Sequence, residues 1–188
     1  MAPLPISATI LAGGAGTRAG GVDKGLADWQ GRPLVEYALA RLNASVSDIS
    51  ISANRNLERY ATYGVNVVAD PPPVFRGPLA GIERALAMAK CPFVLTVAVD
   101  VPGFPHDLPA RLHAALIGSA ANCAVAHDGQ RRQVLFALYR RELAVAAAAA
   151  LDRGDRAVWA WQDAQGVVEV RFAEAADAFA NLNEIGAG

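Results

Sequence analysis

The hydrophobic pattern of the chain alternates between short apolar runs and longer stretches in which apolar residues recur at helical spacing. Apolar or β-rich runs of strand length predict strands at 6–11, 48–53, 65–69, 93–99, 122–127 and 133–138. Helical spacing predicts helices at 33–43, 55–63, 78–90, 107–117 and 140–152. Pro33 suits the first position of its helix. The mixed pattern after residue 155 predicts no clear element.

This alternation of strands and helices predicts an α/β fold. Because the strands are continuously apolar, we expect both faces of the sheet to be covered, as in a three-layer, doubly wound, mainly parallel Rossmann-like sheet. The hydrophobic fraction of 53% is ample for such a core. Ligands of these sheets bind beyond the carboxyl ends of the strands, so residues directly after predicted strands are the candidates for chemistry.

Charge and targeting features narrow the class of protein. A formal net charge of −1 argues against a general nucleic-acid binder but permits a small anionic substrate. The start of the chain lacks the features of a secretory signal, and the longest apolar run without glycine, Leu143 to Leu151, is too short to span a bilayer. Cys91 and Cys123 lie in apolar runs and are expected to be buried free thiols. We therefore expect a cytoplasmic protein.

The segment from Gly13 to Gly25 carries the strongest functional signal. Its five glycines within nine residues, at 13–21, let the backbone approach a ligand closely. The amides of such a loop can converge on phosphate oxygens. Arg18 and Lys24 add positive charge that suits a polyphosphate.

Four interpretations of this glycine-rich segment compete. Residues 14–19 fit the G-x-G-x-x-A dinucleotide fingerprint, although its acidic partner would be Glu36, inside a predicted helix. A Walker A loop requires Gly-Lys-Ser/Thr, which is absent. The third interpretation is a flexible connection without a ligand. The fourth is a nucleotidyltransferase loop, in which basic residues flank a long glycine-rich turn.

The stretch LAGGAGTRAGGVDKGL resembles the signature of the molybdenum cofactor guanylyltransferases, the MobA-like family of the NTP-transferase superfamily. Its ending, Gly20-Gly21-x-Asp23-Lys24-Gly25, is more specific than its opening, which many sugar nucleotidyltransferases share. The resemblance implies catalytic roles for Arg18 and Lys24. It implies nucleotide contacts at Leu11, Ala12, Gly13, Gly14, Gly16 and Lys24.

Polar residues after the next predicted strands extend this resemblance. Ser52-Ala53-Asn54-Arg55 is similar to the family's N-x-N-R, with serine replacing the first asparagine, which is implicated in holding guanine. Asp70 and the loop Gly77-Pro78-Leu79 match family positions that contact the nucleotide. From the residues alone, Asp70 is equally a turn-initiating aspartate before proline. The resemblance adds Ser52, Asn54, Asp70, Gly77, Pro78 and Leu79 to the nucleotide site.

Asp100 is the first candidate for a metal ligand. It follows the clearest buried strand, and Mg²⁺ takes one or two carboxylates together with substrate phosphates and waters. A turn or helix cap is the alternative role for this aspartate. The resemblance puts the family's magnesium-binding aspartate at Asp100. It also gives Asn181 and Asn183 a place on the acceptor and metal side.

The second half of the chain resembles the family less specifically. His127-Asp128-Gly129 and the following strand are similar to its acceptor region, with Gln133-Val134 where the family usually has a proline, often preceded by histidine. Four arginines concentrate positive charge here: Arg131, Arg132, Arg140 and Arg141. Some of the four are expected to meet the acceptor's phosphate, with solvated surface arginines as the alternative. After Asn183 the family continues Thr-Pro-Glu-Glu-Leu, where this chain reads Glu-Ile-Gly.

The resemblance implies one nucleotidyltransferase domain over 1–188, with a nucleotide-binding N-terminal half and an acceptor-binding C-terminal half. It implies transfer of GMP from GTP to the phosphate of molybdopterin with Mg²⁺ and release of pyrophosphate. Transient contact with other cofactor-biosynthesis proteins is a further expectation, and no nucleic acid or membrane partner is expected. The alternatives are a cytidylyltransferase of the same pterin, a sugar-phosphate nucleotidyltransferase, an inactive nucleotide-binding regulator and an NAD-dependent oxidoreductase.

Overall fold

The computed structural model describes residues 2–13, 23–70 and 76–182. The described strands are β1 (Leu4–Leu11), β2 (Asp28–Trp29), β3 (Arg32–Pro33), β4 (Val46–Ser52), β5 (Asn66–Val68), β6 (Phe93–Ala98), β7 (Cys123–His127), β8 (Arg132–Arg140) and β9 (Val167–Arg171). The described helices are α1 (Leu34–Leu42), α2 (Leu57–Ala61), α3 (Pro78–Met88), α4 (Leu108–Ile117), α5 (Ala144–Asp152) and α6 (Val158–Gln165). Shorter 3₁₀ turns cover Lys24–Leu26, Arg141–Leu143 and Ala173–Phe179.

Seven strands form the main sheet, in the order β5-β4-β1-β6-β8-β7-β9. Parallel pairing joins β5, β4, β1 and β6, and it also joins β7 to β9. Only β8, of the described strands in this sheet, runs antiparallel to its neighbours. The ends of β1, β4, β5 and β6 therefore meet at one side of the sheet, which we name the carboxyl edge. Because its direction is reversed, β8 begins at this edge.

Apolar side chains cover both faces of the sheet. On one face, Ile10 and Leu95 pack with buried residues of α1 and α4. On the other face, Val94 and Tyr139 pack with buried residues of α3, α5 and α6. The mainly parallel, doubly wound α/β sheet that the sequence predicts is thus confirmed.

Three local features differ from the sequence prediction. The strands β2 and β3 form a hairpin whose turn residues Gln30 and Gly31 both have positive φ, the pattern of a tight two-residue turn. Pro33 pairs with Asp28 in this hairpin, so α1 begins one residue later, at Leu34. The tail without a clear pattern contains α6 and β9, and β9 extends the sheet beside β7.

The two cysteines are free thiols, as predicted, but they differ in burial. Cys123 is fully buried in β7, whereas Cys91 is only half-buried. Cys91 lies in the turn before β6, where its amide donates to the Ser7 hydroxyl. It therefore lies outside the core that begins with the strand. In the part of the chain that the structure describes, no helix has the length and apolar character needed to cross a membrane.

Candidate active site

The candidate site is built from the loops that leave four neighbouring parallel strands. Backbone bonds continue the ladder past the strand ends, with Ala12 N donating to Ser52 O at 2.8 Å and Ala53 N donating to Val68 O at 3.0 Å. These bonds fix where each loop departs. Since neighbouring strands lie about 4.8 Å apart, the row from β5 to β6 spans roughly 14 Å, which suits an elongated ligand.

Lys24 and Asp100 meet at the β6 end of this row. Lys24 Nζ lies 2.9 Å from Asp100 Oδ2, although the two residues are 76 positions apart in the chain. Asp100 lies two residues after the end of β6, and Lys24 opens the 3₁₀ turn Lys24–Leu26 at the end of the glycine-rich segment. The structure therefore brings together the two residues that carry the sequence-based hypothesis.

Asp70 and Asn54 form a second polar pair at the β5 end of the row. Asn54 Nδ2 donates to Asp70 Oδ2 at 2.9 Å, and Asp70 N donates to Asn54 Oδ1 at 2.8 Å. Asp70 is 9% exposed, and its other carboxylate oxygen, Oδ1, is buried without a hydrogen-bond partner among the described residues. A buried carboxylate oxygen left in this state is costly, so it provides a ready acceptor for a ligand that brings a donor.

Small residues keep the floor of the site open. A Cβ atom at Gly13 would lie 3.2 Å from Asn54 Nδ2, and one at Gly81 would lie 3.1 Å from Leu11 Cδ2 and 3.4 Å from Ser52 Oγ. Ser52 is buried between these two glycines, and Ala12 is buried beside it. These contacts let α3 pack closely against the ends of β1 and β4.

The N-terminus of α3 also faces the carboxyl edge. Gly77 precedes it with φ +89°, a backbone conformation that favours glycine, and Pro78 is the first helical residue as predicted. Leu79 is buried beneath the helix start. The predicted nucleotide residues of this loop thus lie beside those that follow β1 and β4.

The loop after Asp100 is held by residues that the sequence interpretation missed. Arg41 of α1 donates from Nε to Pro102 O at 2.6 Å and from Nη1 to Phe104 O at 2.7 Å. Burial lowers the pKa of the Arg41 guanidinium. Nothing in the helical pattern of α1 distinguishes Arg41 from a surface arginine, because its partners are backbone carbonyls far along the chain.

The end of the described chain returns to the same loop. Leu182 N donates to Asp100 O at 3.1 Å, which brings the neighbouring Asn181 to the end of β6. The predicted role of Asn181 on the metal side stays a prediction. Four predicted site residues, Arg18, Gly14, Gly16 and Asn183, lie outside the described residues.

The C-terminal half of the chain contributes Asp128 and Gln133 to the carboxyl edge. Gln133 Nε2 donates to Asp128 Oδ2 at 2.6 Å, and the amides of Gln130 and Arg131 donate to Asp128 Oδ1 at 2.7 Å each. Burial raises the pKa of the Asp128 carboxyl, but these hydrogen bonds and the Arg131 charge outweigh it and leave the pKa below its usual value. Asp128 therefore anchors the hairpin between β7 and β8 as an ionised group.

The arginines of this half do not form one anion site. Arg132 lies at the start of β8, where it forms ion pairs with Glu169 and Asp163. Arg140 ends the same strand and donates to the carbonyls of Ala121 and Leu116, and Arg141 N donates to Pro92 O. Because β8 runs antiparallel for nine residues, Arg140 and Arg141 lie roughly 26 Å from its start, at the opposite edge. These two arginines therefore lie away from the carboxyl edge, and the expectation that some of the four arginines meet the acceptor's phosphate stays a prediction for Arg131 and Arg132.

Replacing Asp128 with asparagine is expected to lower the free energy of unfolding by about 1–2 kcal/mol at about pH 7, because the hydrogen bonds to a charged acceptor are lost. The depressed pKa gives stability that is present above the ordinary value of 3.8 and is lost as the pH falls through the lower folded-state pKa. Urea unfolding at about pH 7 and about pH 3.5 measures this, with exposed Asp155→Asn as the control. An equal loss at both pH values would contradict the assignment.

The dinucleotide interpretation lacks its acidic residue. Glu36 lies in the first turn of α1, where its carboxylate pairs with Arg32 at 3.2 Å, and not at the end of a second strand. It is therefore unsuited to a ribose contact.

A magnesium ion at this site would have few protein ligands. Among the described residues, no group of three or more His, Cys, Asp or Glu side chains converges as a metal cage. Asp100 nevertheless offers a partly exposed carboxylate, 22% accessible, at the point where the Lys24 ammonium group also lies. Mg²⁺ commonly binds through one or two carboxylates plus substrate phosphates, so the donor chemistry of Asp100 fits that ion.

Comparison with known proteins gives consistent matches. Residues 8–167 match the MobA-like NTP transferase domain. Relatives named molybdenum cofactor guanylyltransferase include that of Pasteurella multocida, 43% identical over 97% of this chain and 96% of the relative. The protein of that name from Ralstonia nicotianae is 44% identical over 96% of this chain and 92% of the relative.

Solved structures agree on the fold. The molybdopterin-guanine dinucleotide biosynthesis protein A of Archaeoglobus fulgidus has a TM-score of 0.77 and 19% identity, covering 94% of this chain and 92% of its own. The 2-C-methyl-D-erythritol 4-phosphate cytidylyltransferase of Thermus thermophilus has a TM-score of 0.68 and 18% identity, covering 92% and 90%.

Proposed function

Since the chain belongs to the MobA-like NTP transferase family and is a nucleotidyltransferase, we propose that it transfers GMP from GTP to the terminal phosphate of molybdopterin. The observation that carries this proposal is the Lys24–Asp100 pair, 2.9 Å apart at the carboxyl edge. The relatives at about 40% identity are named for this reaction, and the residues that we assign to it lie at the carboxyl edge.

The proposed step is a phosphoryl-group substitution that needs no covalent enzyme intermediate. An oxygen of the acceptor's phosphate forms a bond to the α-phosphorus of GTP. The bond between the α-phosphorus and the oxygen that bridges to the β-phosphorus breaks, and pyrophosphate leaves with that electron pair. Because the acceptor phosphate is already anionic at neutral pH, the step requires no general base. Catalysis then consists of positioning and charge neutralisation.

The chain's cationic side chains supply the neutralisation. Lys24 lies where its ammonium group, now paired with Asp100, can donate to a polyphosphate oxygen. Arg18 is proposed to act beside it on the leaving pyrophosphate. Amides of the glycine-rich segment are proposed to donate to the remaining phosphate oxygens, since such loops favour anions.

Asp100 is the proposed ligand of a magnesium ion, with Asn181 and Asn183 on the same side. When bound, Mg²⁺ would neutralise phosphate charge and orient the α-phosphate. The contribution of the chain is the fixed carboxylate, which the Arg41 and Leu182 contacts hold at the end of β6.

Guanine is the proposed base because of the unpaired oxygen of Asp70. Asp70 Oδ1 is a buried acceptor without a partner, so it favours a base edge that presents donors. The Watson–Crick edge of guanine carries adjacent N1–H and N2–H donors, whereas cytosine presents a single donor group. Gly77, Pro78 and Leu79 are proposed to cover the base and ribose from the start of α3. The main alternative, a cytidylyltransferase, predicts the opposite preference.

A thermal-shift panel of GTP, CTP, ATP and UTP with Mg²⁺ tests base selection. GTP at about 100 times its Kd is expected to stabilise the protein by roughly 2.7 kcal/mol, a rise in Tm of about 5–10 °C, with smaller shifts for the others. In an Asp70→Asn variant the advantage of GTP is expected to disappear, while Asp48→Asn at the opposite edge retains it. A larger shift with CTP would favour the cytidylyl alternative.

A further inference from the structure

Asp23, the residue before Lys24, has its whole carboxylate occupied by hydrogen-bond donors. Its Oδ1 accepts from Gly25 N at 3.2 Å and thereby caps the 3₁₀ turn Lys24–Leu26. The same oxygen accepts from Tyr60 Oη at 2.5 Å, and its Oδ2 accepts from Asn56 Nδ2 at 2.9 Å. The turn that presents Lys24 is thus fixed by two side chains from the region of α2.

Asn56 has a conformation that suits this contact and not a capping role. It lies directly before α2 with φ 51° and ψ 33°, in the left-handed region that asparagine tolerates better than most residues. Its side chain does not cap α2, although asparagine in that position commonly does. The amide is directed to Asp23 instead.

Tyr60 places a hydroxyl group in the core, where the ring of a phenylalanine would have the same aromatic bulk but no donor for Asp23. The side chain is fully buried. Burial, and to a smaller extent the hydrogen bond to Asp23, raises the pKa of its phenol, so the hydroxyl stays a neutral donor. The fit against the turn is close. A Cβ at Gly25 would lie 2.3 Å from Tyr60 Oη, so only glycine is compatible with this arrangement.

We propose that Asn56 and Tyr60 are positioning residues, which hold Asp23 and through it set the Lys24 ammonium against the triphosphate. The inference rests on the proposed function, because it assumes that Lys24 acts on the nucleotide. The loop between Asn54 and Asn56 also follows β4, where Asn54 pairs with Asp70. Asn54, which pairs with the proposed base residue Asp70, and the two residues that hold Asp23 therefore belong to one short segment, 54–60.

Tyr60→Phe and Asn56→Gly remove the two donors while keeping the buried ring and the local backbone conformation. Phenylalanine keeps the buried ring, and glycine keeps the left-handed backbone. Each variant is expected to lower kcat/KM for GTP, measured by pyrophosphate release with molybdopterin, about 5- to 20-fold, the effect of losing a hydrogen bond to a charged group. Tyr63→Phe is the control, since Tyr63 lies on the same side of the sheet and is not bonded to Asp23 in the described contacts.

A double-mutant cycle separates positioning from a loss of stability. In a Lys24→Ala background, assayed at high enzyme concentration, Tyr60→Phe and Asn56→Gly are expected to cause no further loss, because the group that they position is gone. A purely structural role would produce the same loss in both backgrounds, together with a lower Tm. Asn56 is exposed, so its variant keeps the test available if Tyr60→Phe folds poorly.

Each result has a distinct meaning. The inference is overturned if Tyr60→Phe and Asn56→Gly leave kcat/KM unchanged, or if their effects persist in full without Lys24. If Lys24→Ala itself retains normal kcat/KM, the proposed function of the site fails and the inference falls with it. A loss with each donor removed that vanishes in the Lys24→Ala background supports the inference.

Discussion

Replacing Lys24 with alanine is expected to lower kcat/KM for GTP about 1000-fold. The ammonium group would otherwise neutralise the charge that builds on the leaving pyrophosphate, and removing one such donor commonly costs about two to three orders of magnitude. Pyrophosphate release at saturating molybdopterin measures the loss. Stability should change little, because the Lys24 and Asp100 side chains are 38% and 22% exposed and such ion pairs contribute about 0–1 kcal/mol.

The chain contains a matched control for this variant. Its other lysine, Lys90, pairs with Asp48 at 2.8 Å, and the pair lies at the opposite edge of the sheet. Lys90→Ala removes a similar ion pair and should leave the kinetics unchanged. If both lysine variants lose activity equally, the loss reflects general charge or folding and not a role of Lys24 at the triphosphate.

Asp100→Asn is expected to reduce kcat/KM by a comparable factor, about 1000-fold, while preserving the shape of the side chain. An amide oxygen is a poorer ligand than a carboxylate for a hard divalent cation, so the variant should also need a higher Mg²⁺ concentration for half-maximal rate. A titration of the rate with Mg²⁺, for the native protein and the variant, measures both effects. An unchanged Mg²⁺ requirement would argue that Asp100 does not hold the metal.

Asp48→Asn is the control for that experiment. Asp48 is 22% exposed, as is Asp100, and it also pairs with a lysine, so the two substitutions perturb similar environments. Only Asp100 of these two residues lies at the carboxyl edge. If the Mg²⁺ titration is normal for Asp48→Asn and shifted for Asp100→Asn, the higher Mg²⁺ requirement results from the position of Asp100 at the carboxyl edge.

Position after a strand was the feature that made this site predictable from the sequence. Asp70 and Asp100 directly follow short apolar runs, and parallel strands bring their carboxyl ends to one edge. Lys24 could be joined to them because the glycine-rich segment leads from the first strand. The pairing of Lys24 with Asp100 then follows from the neighbouring positions of β1 and β6 in the sheet.

The direction of a strand and the long-range hydrogen-bond partners of a side chain were not predictable in the same way. The residues of β8 form an apolar run that does not distinguish a parallel from an antiparallel strand, so the sequence did not indicate at which edge Arg140 lies. Tyr60 fits the pattern of any buried helical residue, and its bond to Asp23 depends on how α2 packs 37 positions away. Hydrophobic periodicity records which side chain is buried but not which polar group its hydroxyl meets.

The helix α1 contacts both loops that carry the Lys24–Asp100 ion pair, although none of its residues belongs to the pair. Its first residue, Leu34, donates its amide to Ala27 O at 3.1 Å, just after the turn that carries Lys24. Near its other end, Arg41 donates two hydrogen bonds to carbonyls of the loop that follows Asp100. The nine-residue helix, about 13 Å long, is therefore bonded at one end to the loop that carries Lys24 and near the other end to the loop that follows Asp100. Inserting or deleting a residue within it would rotate Arg41 by about 100° relative to Leu34 and break its bonds to the loop after Asp100, although the change would lie outside the residues proposed to bind the nucleotide.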